Sequence, residues 1–149
     1  MRLWHKELIP VLPRQQLLAQ WRECCCIARN IAVNGTPNHI LVNKVLQYPC
    51  SHFEDYCKLV TKEMERRGYN VSESALMDLN LSLSTARLMG AFADKCSTEV
   101  IFGDWHTNRY MWQCYFNLQE KYDCGGIPKE EWMLIEDVAM GVLYMGGRQ

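Results

Sequence analysis

At 149 residues the chain is the length of one ordinary domain, and 48% apolar against 22% charged residues is a globular composition. No apolar run approaches the roughly 20 residues of a membrane span and the start lacks a signal-peptide pattern, which predicts a cytoplasmic protein without a membrane partner. The formal net charge of −1 does not mark a strongly basic nucleic-acid binder. Its distribution is uneven: residues 1–69 carry ten Lys/Arg against six Asp/Glu, and residues 70–149 carry six against eleven. A polyanion would therefore meet a surface built mostly from the first half.

In chain order, residues 1–11 give no clear element. Pro13 suits a first helical position because its missing N–H would have been unpaired there anyway. Leu17, Leu18, Trp21, Cys24 and Cys25 then recur at three- and four-residue steps, predicting a helix over 13–30 with one apolar face that stops before the Asn34-Gly35 turn signal. Thr36-Pro37 reads as an N-cap and first residue of a second helix reaching Tyr48, with Ile40, Leu41, Val45 and Leu46 inward. Ser51 and Glu54 have the form of a capping box for a third helix, closed by Gly68. Arg66 and Arg67 at its end suit the helix dipole, a structural role.

Ser72 and Ser84 predict two short helices, to about Asn80 and about Lys95, the second with Leu88, Met89 and Phe92 inward. Thr98 to Phe102 reads as extended chain or loop. A helix from about His106 to Tyr122 carries an aromatic-rich stripe (Tyr110, Met111, Cys114, Tyr115, Leu118) that suits a core. Pro128 opens a last helix ending at Gly146-Gly147. The expected fold is all-α: one compact domain over 1–149, a bundle of five to seven helices with an extended N-terminal segment reaching the active site.

The eight cysteines include the contiguous Cys24-Cys25-Cys26 but no C-x-x-C pair and no His pair at zinc spacing. Neighbours on one helix point in different directions, so buried free thiols are the expectation, with no metal or disulfide framework.

The run Gln15-x-Leu17-x-Ala19-x-Trp21-Arg22-Glu23 resembles the opening helix of pyrimidine-dimer DNA glycosylases of the endonuclease V type. Met1-Arg2-Leu3-Trp4-His5 and Leu12 to Leu18 are closer still to a bacterial branch of that family. Thinner resemblance returns at His39-x-x-x-Asn43, at Glu63 to Tyr69 and around His106.

The resemblance implies a chemistry. Such enzymes attack C1′ of the damaged nucleotide with the chain's own N-terminal amine, displace the base and pass through an imine to β-elimination. An α-amine, with a reference pKa of about 8, is neutral more often at cellular pH than a lysine at about 10.4. A nearby carboxylate moves protons and stabilises charge on the sugar, and Glu23 matches it. Known members expose a threonine after losing methionine; here Arg2 is too large for methionine removal, so Met1 stays, and aligning Arg2 with the arginine after that threonine makes the Met1 amine the nucleophile.

Arg2 and Arg22 match arginines that grip phosphates, and Gln15 joins them. An arginine expected three residues after the glutamate is Cys26 here, with Arg29 one turn on as substitute; a family histidine is Gln16. His39, His106 and Lys121 match DNA-facing positions more loosely, and Trp4, Trp21 and Trp105 are candidates for stacking. The expectation is a monomeric glycosylase and abasic-site lyase that acts on damaged or modified pyrimidines in double-stranded DNA, associated with the nucleoid and without cofactor. Its rivals are a catalytically inactive nucleic-acid-binding relative and a thiol-rich interaction or metal-binding protein around Cys24 to Cys26.

Overall fold

A computed structural model describes residues 1–145. Among these residues there are five α-helices, two 3-10 helices and no strand: α1 (Arg14–Asn34), α2 (Cys50–Arg66), α3 (Glu73–Leu88), α4 (Asn108–Asp123) and α5 (Lys129–Met145), with the 3-10 helices at Lys6–Val11 and Asn43–Gln47. The all-α expectation holds. The predicted end of the last helix at Gly146-Gly147 lies outside the described residues.

α1 is the central element, packed on α3 and α2, while α5 packs on α4 and on the 3-10 helix Lys6–Val11. It outruns its predicted end because the apolar stripe continues through Ile27, Ala28 and Ile31, all fully buried. Gly35, at φ +78°, then caps it by donating its N–H to the Ile31 carbonyl at 2.8 Å.

The end of α2 ties down the chain start. Glu63, 7% exposed, accepts from Arg66 and Arg67. Although burial opposes it, hydrogen bonding from the two guanidiniums holds this carboxyl below its ordinary range. Arg67 also donates to the Leu12 carbonyl at 2.7 Å and the Pro10 carbonyl at 3.1 Å. This pair therefore joins α2 to the segment that leads into α1.

Several local expectations are corrected. Residues 36–42 form no helix: the Thr36 hydroxyl accepts from the Asn38 N–H, Asn38 sits at φ +57°, and Asn43 Oδ1 takes the His39 N–H at 3.0 Å. These side chains offer the backbone an alternative to helical bonds, and Ile40 and Leu41 face solvent while Val45 is buried. Pro49, not Ser51, occupies the N-cap of α2, and Glu54 instead pairs with Arg87 at 2.5 Å. α3 is one helix because nothing between Leu81 and Ser84 breaks it; Ser72 caps it as expected. Leu88 and Met89 consequently point outward, and only Phe92 is buried. α4 starts two residues late, with Thr107 as cap.

Candidate active site

Residues 1–5 have no helix of their own, yet Leu3, Trp4 and His5 are buried. Their backbone polar groups must then find partners. Gln20, fully buried on α1, serves one of them and the Arg2 carbonyl beside it. Its Oε1 accepts from the Trp4 N–H at 2.8 Å, and its Nε2 donates to the Arg2 carbonyl at 3.0 Å and to Glu23 Oε2 at 3.3 Å. The Tyr56 hydroxyl lies 2.6 Å from the Trp4 carbonyl and 2.9 Å from Gln20 Oε1. From α4, Tyr110 donates to the Leu3 carbonyl at 2.5 Å.

The histidine pair completes this clamp. His5 Nε2 donates to the His106 carbonyl at 2.9 Å, and the Lys6 N–H donates to His106 Nδ1 at 2.9 Å. Those partners assign a proton to Nε2 of each ring. Burial pushes His5 down to about 4 from 6.5, partly opposed by its bond to the His106 carbonyl and reinforced by Lys6. Burial, then His5 and Lys6, push His106 down to about 2. Both are neutral structural residues at neutral pH.

So held, the chain start forms one wall of an open cleft of about 710 Å³, within the size range of small-molecule sites. Met1, Arg2, Gln15, Arg22, Glu23 and Lys121 all line it. Glu23 Oε2 accepts from the Arg2 N–H at 3.4 Å, and its Oε1 has no protein partner among the described residues. The Arg2 guanidinium lies over Trp4, 5.5 Å from the ring centre, with Nη1 3.9 Å from the Cys114 sulfur. Burial raises the Cys114 thiol, which stays protonated. Gln16 lines the same cleft with its amide oxygen buried and unpaired.

An adjoining cleft of about 580 Å³ shares Arg2 and Leu41 and adds Lys44, Arg109 and Asp104. The cationic rim of the two clefts thus draws Arg2, Arg22 and Lys44 from the first half of the chain and Arg109 and Lys121 from α4. Most of the Met1 cleft lining and three of these five cations thus come from the first half, with α4 adding the other two. The exposed acids of α5, Glu130, Glu136 and Asp137, line neither cleft.

Three expected contributors stand elsewhere. Arg29 borders a separate small cleft with Cys25, Ser74 and Asp78, between α1 and α3. His39 is used inside its own turn, with Nδ1 accepting from the Leu41 N–H at 3.2 Å. His106 lies under the chain start, 5% exposed. Trp21 and Trp105 are packed in the core. Cys24 is buried, Cys25 half-buried and Cys26 exposed, so the three diverge, and among the described residues no three His, Cys, Asp or Glu groups come together as a metal site.

Gln20 escaped the motif reading, yet a signal existed. It is a polar residue among Leu17, Trp21, Cys24 and Ile27 on the buried stripe, three positions before Glu23. Asn117, one turn before Lys121 on α4, also lines the cleft.

The fold and cleft define a small all-helical protein in which the start of the chain and a carboxylate of α1 line one cationic cleft. The model of the pyrimidine dimer DNA glycosylase family matches residues 1–77, just over half of the sequence. The chain belongs to that family, and a DNA substrate follows from it. Among curated proteins and among solved structures, nothing matches.

Proposed function

We propose that the protein is a DNA glycosylase with abasic-site lyase activity of the endonuclease V type, acting on damaged or modified pyrimidines in duplex DNA. The Met1 amine is the nucleophile, and Glu23 is the general acid and base. The neutral amine attacks C1′; the N–C1′ bond forms, the glycosidic bond breaks, and the base leaves with a proton delivered through the Glu23 carboxyl. The amine nitrogen gives up one proton, and opening of the sugar ring, with O4′ protonated, leaves a protonated imine. Glu23 as carboxylate then removes a C2′ proton, and the electron pair expels the 3′ phosphate. Water releases the sugar remnant and restores the amine. Amine, carboxylate and water account for every bond change, so the scheme calls on no cofactor.

The observation that carries this reading is the convergence of Met1 and Glu23 on one cleft, with the intervening Arg2 N–H directed at the carboxylate. The Met1 side is 39% exposed, open to a substrate. Arg2, Arg22 and Lys121 offer charge for flanking phosphates and Gln15 a neutral amide.

Borohydride trapping on a duplex with one abasic site tests it. The wild type gives a covalent adduct that maps to Met1, an acetylated or extended N-terminus gives none, and Glu23→Gln lowers strand cleavage by about 10²- to 10⁴-fold with DNA affinity retained. An adduct on a lysine, or binding without adduct or cleavage, overturns the proposal; the second outcome leaves a non-catalytic DNA-binding relative.

A further inference from the structure

The chemistry leaves the turn at 36–42 unexplained. Ile40 and Leu41 are 86% and 51% exposed, while Val42 and Val45 beside them are fully buried. The turn is tightly braced. His39 donates its N–H to Asn43 Oδ1, Leu41 donates to the His39 ring, and both Val42 and Asn43 donate to the His39 carbonyl at 3.0 and 2.9 Å. Asn30 on α1 adds a bond to the Pro37 carbonyl at 3.4 Å. A braced turn that displays two aliphatic side chains loses little further conformational entropy when a partner binds it.

Its position is as telling as its rigidity. Leu41 borders the Met1–Glu23 cleft, and Ile40 and Leu41 both border the adjoining cleft. Cations flank the tip on both sides: Arg22 and Lys121 in one cleft, Lys44 and Arg109 in the other, with Arg2 in both. Among the described residues none of these five forms an ion pair within the protein. A narrow apolar tip between two cationic banks complements a polyanion with an apolar interior, which is the arrangement of stacked bases between two phosphate backbones.

We propose that Ile40 and Leu41 form a wedge that enters the base stack of duplex DNA beside the nucleotide drawn into the Met1–Glu23 cleft. The proposal rests on the DNA-lesion reading of that cleft. Taking a nucleotide out of the duplex forfeits stacking, and apolar side chains inserted at the vacated step offset the loss and kink the duplex. The two clefts on either side of the tip then hold the backbone.

The test uses the full chain with its native N-terminus, a duplex with one abasic-site analogue, and 2-aminopurine as the neighbouring base. Wild type raises the 2-aminopurine fluorescence on binding. Ile40→Ser abolishes the rise and weakens duplex binding by about tenfold, Ile40→Met restores both, and binding to the same strand without its complement is the same for all three. Ile40→Ser with the wild-type rise and duplex affinity overturns the wedge. Equal losses on single and double strands overturn it too, since a single strand offers no stack to enter. Failure of the amine chemistry reads differently: wild type forms no borohydride adduct while the Ile40-dependent rise persists.

Discussion

Residues 1–77, matched by the family, and residues 78–145 divide the work around one short segment. The first region brings the groups assigned to chemistry: Met1, Arg2, Arg22 and Glu23. The second brings no carboxylate to the Met1 cleft, yet it holds the segment that carries the amine. Partners alternate along residues 2–6. Gln20 and Tyr56 of the first region take the Arg2 carbonyl and both polar groups of the Trp4 backbone. Tyr110 and His106 of the second take the Leu3 carbonyl and the Lys6 N–H. The segment is bonded on both sides like a strand, with helix and loop side chains where neighbouring strands would be. The groups assigned to the proposed chemistry therefore come from one region, and the placement of the amine depends on both.

Acidity tests the junction most severely, because His5 belongs to one region and His106 to the other. Both have folded-state pKa values below 6.5, at about 4 and about 2, with burial as the main cause. As pH falls below 6.5 the unfolded chain binds protons that the folded chain refuses. The stability these neutral rings contribute is complete above 6.5 and declines as pH falls, with a slope approaching about 1.4 kcal/mol per pH unit for each ring. The His5 share ends near pH 4, and that of His106 continues toward 2. Urea midpoints between pH 7 and 4.5 should fall for the wild type and fall less steeply for His106→Gln, which keeps an acceptor for Lys6 but does not titrate. Parallel profiles would break the claim that neutral histidines join the regions.

Within the first region, Gln20→Leu should have the next largest effect. It leaves the Trp4 N–H and the Arg2 carbonyl unpaired near the core, which costs about 3 kcal/mol of stability. Removal of the one bond from Tyr110 to the Leu3 carbonyl in Tyr110→Phe should cost about 1 kcal/mol. Denaturant unfolding measures both. Similar losses would mean that the two sides grip the segment equally.

The sequence revealed what depends on local patterning. Apolar stripes located α1 and α4, start and stop residues located α2 and the opening of α5, and the Arg22-Glu23 and Met1-Arg2 motifs do border one cleft. What it concealed depends on side chains bonding to distant or competing backbone. Thr36-Pro37 has the composition of a helix start, but Asn38 and Asn43 turn the chain instead. His106 carries the chemistry expected of a phosphate or base contact, and only the fold shows the Lys6 N–H 2.9 Å from its ring nitrogen. Arg29 lies two turns beyond Arg22 on α1, and that rise along the axis places it beside α3 rather than in the Met1 cleft.

The smallest effect concerns the one cation that the second region contributes to the Met1 cleft. Lys121 is exposed at the last turn of α4, on the opposite wall from Arg22. An exposed ammonium is a point charge for phosphate and carries no base information. Lys121→Ala should therefore weaken binding to duplexes of any sequence alike and reduce the slope of log affinity against log salt by about 1, with the trapped-adduct yield at saturating protein unchanged. Arg22→Ala, on the first region's wall and beside Glu23, should lower that yield as well as the slope. If Lys121→Ala also lowers the yield at saturation, the second region shapes the reactive geometry directly, beyond holding the chain start, and the division drawn between the two regions fails at this wall.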